Sequence, residues 1–168
     1  MRKAKYKKIW NVLLYIPLLL LVYILQGMVF SMLPIFGAKP LIIPLAVVGI
    51  ALFGGYFRGG VFGLFAGILC DLSFNQPPIQ FTVFLTIVGL LIGLAADMVL
   101  AKGFPTYFLC CLLTLLLSAF VQSFSLLFYY NCGFMTCLTT ALIQAGYSLL
   151  FSLPVYLLSR SVSRVRRT

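Results

Sequence analysis

Asp71 and Asp97 are the only acidic residues in the sequence, and each stands near the end of a long apolar run. Each closes the same pattern, because two glycines precede it at intervals of four residues: Gly63 and Gly67 before Asp71, and Gly89 and Gly93 before Asp97. Two intramembrane carboxylates could share a proton and cleave peptides, as paired aspartates do in aspartic proteases. Alternatively, each aspartate stabilises the fold through buried hydrogen bonds, or lies as a charged group at the interface between membrane and water. Because an ionisable group inside a membrane is costly, a functional role is also a hypothesis for both.

The four glycines have a simpler interpretation. Residues at intervals of four lie along one face of a helix, and glycine there lets a second helix backbone approach closely. Tight packing within the chain is therefore one hypothesis for this face. Docking of a transmembrane segment from a partner protein is the other.

Polar side chains also follow two later runs, mostly at intervals of four. They are Thr114, Ser118, Gln122 and Ser125 in one run, and Thr136, Thr140, Gln144, Ser148 and Ser152 in the next. Small hydroxyl residues of this kind bind helices to each other in lipid. A polar groove for a small ligand or a partner helix is the functional alternative.

The elements that position these residues are predicted to be membrane-spanning helices. Of 168 residues, 63% are hydrophobic and only 8% charged, whereas about a quarter of a soluble domain is charged. Since a crossing takes ~20 apolar residues, we expect an all-α transmembrane bundle that forms a single domain over 1–168. Glycines 54, 55, 59 and 60 are predicted to mark the break between the second and third spans, and Pro154 to kink the sixth. The six expected spans are about 9–30, 41–56, 59–72, 81–100, 106–130 and 135–159, with basic ends at 1–8 and 160–168.

The basic residues predict the orientation of these spans. With both termini in the cytoplasm, eleven of the twelve lysines and arginines lie on that side and only Lys39 lies outside, as the retention of positive loops requires. This arrangement places Asp71 near the outer end of the third span and Asp97 near the inner end of the fourth. At about 1.5 Å per residue the carboxylates are then roughly 20 Å apart, too far to share a proton, which argues against a protease.

Composition narrows the remaining classes of function. The chain contains no histidine, so neither a catalytic nucleophile and base nor a mixed zinc site can be assembled. We therefore expect no enzyme activity, metal or cofactor. The basic residues cluster at the chain ends, where anionic lipid heads are the nearest partners, and nucleic acid is not an expected partner.

The third span resembles a known family. Its pattern of glycines leading to an aspartate and a leucine is similar to that of the MreD family of bacterial rod-shape-determining membrane proteins, as are the chain length, the basic ends and the span number. The residues that carry the resemblance are Gly59, Gly63, Leu64, Gly67, Ile68, Leu69, Cys70, Asp71 and Leu72.

The resemblance implies a non-enzymatic scaffold of the cell-elongation complex in the bacterial cytoplasmic membrane. The implied partners are the bitopic protein MreC, the actin-like MreB and the enzymes that build the peptidoglycan wall. It also implies a fold like that of the substrate-binding subunits of energy-coupling-factor vitamin transporters. Such a transporter subunit is the alternative function, and it would need convergent polar groups on the outer side.

Overall fold

The computed structural model describes residues 15–29, 41–73, 79–98, 103–130 and 134–165. In these ranges the chain is all-helical, as predicted, and contains no strand. The α-helices are α1 (Tyr15–Ile24), α2 (Ile43–Gly54), α3 (Tyr56–Ser73), α4 (Gln80–Met98), α5 (Phe104–Tyr130), α6 (Phe134–Leu150) and α7 (Ser152–Val165), and a π-helical turn, Leu25–Val29, continues α1.

Helix α2 is the centre of the bundle. Every residue from Leu41 to Leu52 is buried, because α1, α3, α4, α5 and α7 all pack against this helix. A helix that is apolar on all sides has no solvent face to offer, so complete enclosure is its stable environment.

The amino end of α2 receives its hydrogen-bond acceptors from distant parts of the chain. The amides of Ile42 and Ile43 both donate to Oε1 of Gln26, at 2.9 Å each, and the amide of Leu41 donates to the Ser148 hydroxyl at 2.8 Å. The first amides of a helix have no partner within the helix, and leaving them unpaired inside a membrane is expensive. Gln26 lies in the π-helical turn that continues α1.

The remaining helices form two pairs around α2. Helices α3 and α4 make the most extensive contact in the bundle, and α5 packs with α6. Residues Leu142–Leu150 of α6 and Ser152–Ser161 of α7 meet at a bend of 47°. The kink predicted for Pro154 is therefore present; proline has no amide hydrogen to give to the carbonyl four residues earlier, at Leu150.

Two described helices, Gln80–Met98 and Phe104–Gln122 within α5, are long and apolar enough to cross a membrane, and the bent α6–α7 pair is a third if it counts as one span. The apolar segments Tyr15–Gly27 and Ile43–Gly54 are shorter. These features indicate a membrane protein, while the count of six crossings stays a prediction.

The predicted break between the second and third spans was partly wrong. The chain turns at Gly55, whose φ of 85° lies in the left-handed region, but Gly59 and Gly60 lie inside α3, which begins at Tyr56. Glycine breaks helices readily in water, yet inside a bundle it is retained in a helix wherever two backbones approach closely.

Candidate functional site

The glycines of the third and fourth spans face each other along one helix seam. A methyl group added to Gly63 would overlap the carbonyl of Leu85, and one added to Gly67 would overlap the Thr82 backbone and lie 2.8 Å from the Phe81 carbonyl oxygen. These neighbours are backbone atoms and cannot rotate away. We call this contact between α3 and α4 the glycine seam.

The other helix contributes to the seam in the same way. A methyl group on Gly89 would overlap the carbonyl of Gly59, and one on Gly93 would overlap the Tyr56 backbone. The four glycines of the two patterns, together with Gly59, therefore lie in a single intramolecular contact. Docking of a partner segment on this face would require α3 and α4 to separate.

Asp71 closes one end of the seam. Its carboxylate accepts hydrogen bonds from the amides of Phe81 and Thr82, at 2.9 and 3.0 Å, and from the Thr82 hydroxyl at 2.6 Å. An aspartate at a helix start usually belongs to that helix, whereas here the carboxylate at the end of α3 caps the beginning of α4.

Asp97 closes the opposite end. Its carboxylate accepts a hydrogen bond from the Tyr56 amide at 3.2 Å, and a methyl group built on Gly55 would lie 3.0 Å from one of its oxygens. The Asp97 side chain is exposed, whereas Asp71 is half-buried. The two aspartates thus lie at opposite ends of an antiparallel pair, as predicted from the spans, and they do not form a catalytic dyad.

The seam has an approximate two-fold symmetry that is visible in the sequence. Twenty-six residues separate Gly63 from Gly89, Gly67 from Gly93 and Asp71 from Asp97, and the same offset relates Tyr56 to Thr82. Asp71 bonds to the Thr82 amide and Asp97 bonds to the Tyr56 amide, so the repeat maps each brace onto the other. The common spacing predicted glycine packing in each helix, and the structure shows that the two patterns pack against each other.

Leu72, the last residue of the predicted motif, lies outside the seam. Its side chain is 75% exposed, so it does not take part in the contact between α3 and α4. Because successive helical residues are turned by about 100°, a residue directly after the brace points away from α4.

The described members of the polar stripes bond mainly to backbone carbonyls. Thr114 donates to Cys110, Ser118 to Leu115 and Ser148 to Gln144, at 2.7–2.8 Å. Ser152 is also buried, while the side chains of Ser125, Thr136 and Thr140 lie outside the described residues. These hydroxyl groups form hydrogen bonds within their own helices. Ser148 also accepts a hydrogen bond from the residue just before α2, which joins α6 to the start of that helix.

Sequence reasoning missed two polar residues that organise the bundle. Gln26 is 8% exposed and holds the start of α2, and its signal was a lone amide side chain within a long apolar run. Thr82 completes the Asp71 brace, and no pattern in the sequence marked it.

The chemistry available at the seam is the pairing of carboxylates with helix amides. Within the part of the chain that the structure describes, no group of three histidine, cysteine or acidic side chains could hold a metal ion. Comparisons of the chain with models of protein families, with curated proteins and with solved structures give no match in any of the three.

Proposed function

We propose that this chain is a non-enzymatic scaffold of the bacterial cell-elongation complex, of the MreD type, with about six crossings of the cytoplasmic membrane and both termini in the cytoplasm. The observation that carries the proposal is the glycine seam. The three glycines of the family pattern, Gly59, Gly63 and Gly67, pack against α4, and its Asp71 bonds to the start of α4. A scaffold must keep its shape while it binds its partners, and a motif that holds two helices together supplies that rigidity.

The use of the polar groups supports the same role. Both acidic side chains of the sequence cap helix starts, and the buried Gln26 and Ser148 cap a third. A rigid, mostly apolar bundle meets partner proteins through helix surfaces in the lipid. The partners proposed are an MreC-type bitopic protein and, through the complex, an actin-like filament and wall-synthesis enzymes.

Depletion of the protein in its native host tests the proposal. We expect cells to lose their rod shape and the incorporation of new wall material along their sides, while uptake of radiolabelled vitamins stays unchanged. Cells of normal shape with reduced vitamin uptake would instead establish the transporter subunit, and normal shape with normal uptake would reject the scaffold.

Complementation with variants then links the function to the seam. Gly67→Leu places a large side chain against the Thr82 backbone and should fail to restore rod shape, as should Asp71→Ala. Gly146→Leu is the matched control, because no atom lies within 4 Å of a methyl group added there. If the two seam variants, expressed at normal level, restored rod shape as well as the control does, the seam would have no part in the function.

A further inference from the structure

The helices end at different heights on the side of the bundle where Asp71 lies. The side-chain amide of Gln80, at the start of α4, donates a hydrogen bond to the carbonyl oxygen of Val121 in α5 at 3.1 Å. This bond places the start of α4 close to the level of Val121. Helix α5 continues for nine more residues to Tyr130, which is about 13 Å at 1.5 Å per residue. On this side α5 therefore extends well beyond the pair formed by α3 and α4.

On the opposite side, the same helices end close together. Phe53 near the end of α2 and Phe104 at the start of α5 both pack against the ring of Tyr156, with ring centroids 5.8 and 5.2 Å apart. Helix α2 leads through Gly55 directly into α3, whose first amide is held by Asp97 at the end of α4. The difference in height is therefore confined to the Asp71 side.

The polar ends of the α3–α4 pair are closer together than a bilayer is thick. Sixteen residues separate Phe81, whose amide bonds to Asp71, from Asp97, which is about 24 Å along the helix, whereas the hydrocarbon layer measures roughly 30 Å. Tilting the pair would only shorten its projected length. Asp71 cannot reach a more distant interface, because three hydrogen bonds hold its carboxylate to α4. A span that is too short is accommodated by a thinner bilayer.

Helix α5 has the opposite property. Its 27 residues contain no charged side chain, and they extend over about 40 Å. The helix ends in Tyr129 and Tyr130, and tyrosine is enriched where the membrane meets water. Residue types that suit the interface therefore occur at two heights, at Asp71 and Gln80 on one edge of the bundle and at the two tyrosines on the other.

We infer that the chain thins the bilayer along the α3–α4 pair, so that the membrane surface descends from the end of α5 towards Asp71. The residues of α4 that face the lipid are Val83, Ile87 and Leu91, which are 50%, 50% and 60% exposed. This surface is the contact for lipids whose acyl chains are short or compressed. The inference rests on the proposed crossing of the membrane by α4 and α5, and it adds a surface that deforms the bilayer to the proposed scaffold.

Depth measurements with matched tryptophans test the inference. Trp10→Phe removes the one tryptophan of the chain. In that background Ile79→Trp and Phe120→Trp place single reporters next to Gln80 and Val121, at positions that are 63% and 70% exposed. The purified full-length protein is reconstituted in phosphatidylcholine brominated either near the headgroup or near the ends of the acyl chains. We expect shallow bromine to quench the reporter at position 79 at least two-fold more than deep bromine does, and the reverse at position 120. Equal ratios at the two positions would overturn the inference.

A second pair of reporters controls for tilt of the whole protein. Leu91→Trp and Phe108→Trp each lie twelve residues closer to the side where the helices end together. Thinning on the Asp71 side leaves these two reporters at equal depth, whereas a tilted protein displaces both pairs by the same amount. A depth difference of the same size in both pairs would therefore overturn the inference in favour of tilt.

The same measurements separate a failure of the inference from a failure of the proposed crossing. If bromine at neither depth quenches Leu91→Trp and Phe108→Trp, the helices do not cross the membrane, and the crossing is rejected together with the thinning. Strong quenching with equal depths in both pairs would reject the thinning alone. If Ile79→Trp does not fold, Val83→Trp and Leu117→Trp, one turn further along each helix, replace the first pair.

Discussion

The two aspartates show how a membrane-embedded chain can hold carboxylates through hydrogen bonds to the starts of helices. A charged group is costly in lipid unless donors surround it, and the first amides of a helix are costly unless acceptors meet them. Asp71 satisfies both requirements, because its oxygens accept three hydrogen bonds at the start of α4. The same argument applies more weakly to Asp97, which is exposed and accepts one longer bond.

The difference between the two braces predicts different losses of stability. Asp71→Ala leaves the Phe81 and Thr82 amides without an acceptor and should lower the free energy of unfolding by about 1–3 kcal/mol. Asp97→Ala, at an exposed site where water can replace the carboxylate, should lower it by roughly 0.5–1 kcal/mol, the lower part of the range for helix caps. Thermal unfolding of both purified variants in the same detergent measures which variant loses more stability.

Asp71→Asn is the control for charge in this comparison. The amide oxygen of asparagine can still accept a hydrogen bond from one backbone amide. The free energy of unfolding of Asp71→Asn should therefore fall between those of the native protein and Asp71→Ala. A larger loss for Asp97→Ala than for Asp71→Ala would contradict the assignment of Asp71 as the stronger brace.

A substitution at Ile79 is predicted to increase stability, in contrast to the substitutions at the two aspartates. Its φ of 82° is unusual for a β-branched residue, and its side chain is 63% exposed, so little packing depends on it. Glycine adopts this conformation without a steric penalty. Ile79→Gly should therefore raise the free energy of unfolding by up to about 1 kcal/mol, the lower value of the left-handed penalty, and raise the Tm.

Ile79→Val provides the comparison for that measurement. Valine keeps the branched carbon and should leave the Tm near that of the native protein. A Tm that falls in Ile79→Gly would mean that the isoleucine side chain contributes more through contacts than its backbone conformation costs.

At the scale of helices, the glycine spacing identified which surfaces pack but not what they pack against. Gly63 and Gly67 were predicted to lie at a close helix contact, and the residues across from them, Leu85 and Thr82, could not be read from α3 alone. The partner of a small-residue face depends on register and tilt, which arise from the whole bundle. The 26-residue offset shows that the two patterns have the same internal spacing and does not specify that they pair.

The loss of stability on replacing a glycine is predicted to depend strongly on whether that glycine lies in the glycine seam. Gly67→Ala forces a methyl group into the backbone of Thr82, and since α3 and α4 must separate to admit it, the expected loss is about 1–3 kcal/mol, as for overpacked cores. Gly146→Ala adds a methyl group to open space and should leave stability unchanged or slightly higher, because alanine favours helix. Thermal unfolding of the two variants measures the contrast, and equal stabilities would show that the seam is looser than the structure indicates.

The hydrogen-bond partners of Gln26 could not be predicted from the sequence. A single glutamine in an apolar run indicates a buried hydrogen bond, but its target, the start of α2, lies across a segment of the chain whose path the sequence does not specify. Gly59 and Gly60 illustrate the opposite error. Their role as turn residues followed from a rule for water-exposed helices, whereas Gly59 lies against the Gly89 backbone inside the bundle.

At the scale of the whole molecule, the hydrogen bonds between helix ends define the relative direction of α3 and α4. Helices α3 and α4 form an antiparallel pair, since the end of each braces the start of the other. The direction of the last helices depends on the bend between α6 and α7. With the five preceding crossings that the sequence predicts, a bent pair that crosses once returns the chain to the side from which it started, whereas a re-entrant pair places the two termini on opposite sides.

The distribution of charge favours a single crossing through the bent pair. A carboxyl end that carries Arg160, Arg164, Arg166 and Arg167 is retained on the cytoplasmic side by the same rule that retains the basic amino end. We therefore expect green fluorescent protein fused after Thr168 to fluoresce, and alkaline phosphatase inserted at residues 131–133 to be active. Phosphatase fused after Thr168 should be inactive, which controls for leakage of the reporter. An active phosphatase at that terminus would mean an odd number of crossings, and the bent pair would then be a re-entrant hairpin that places the basic tail outside.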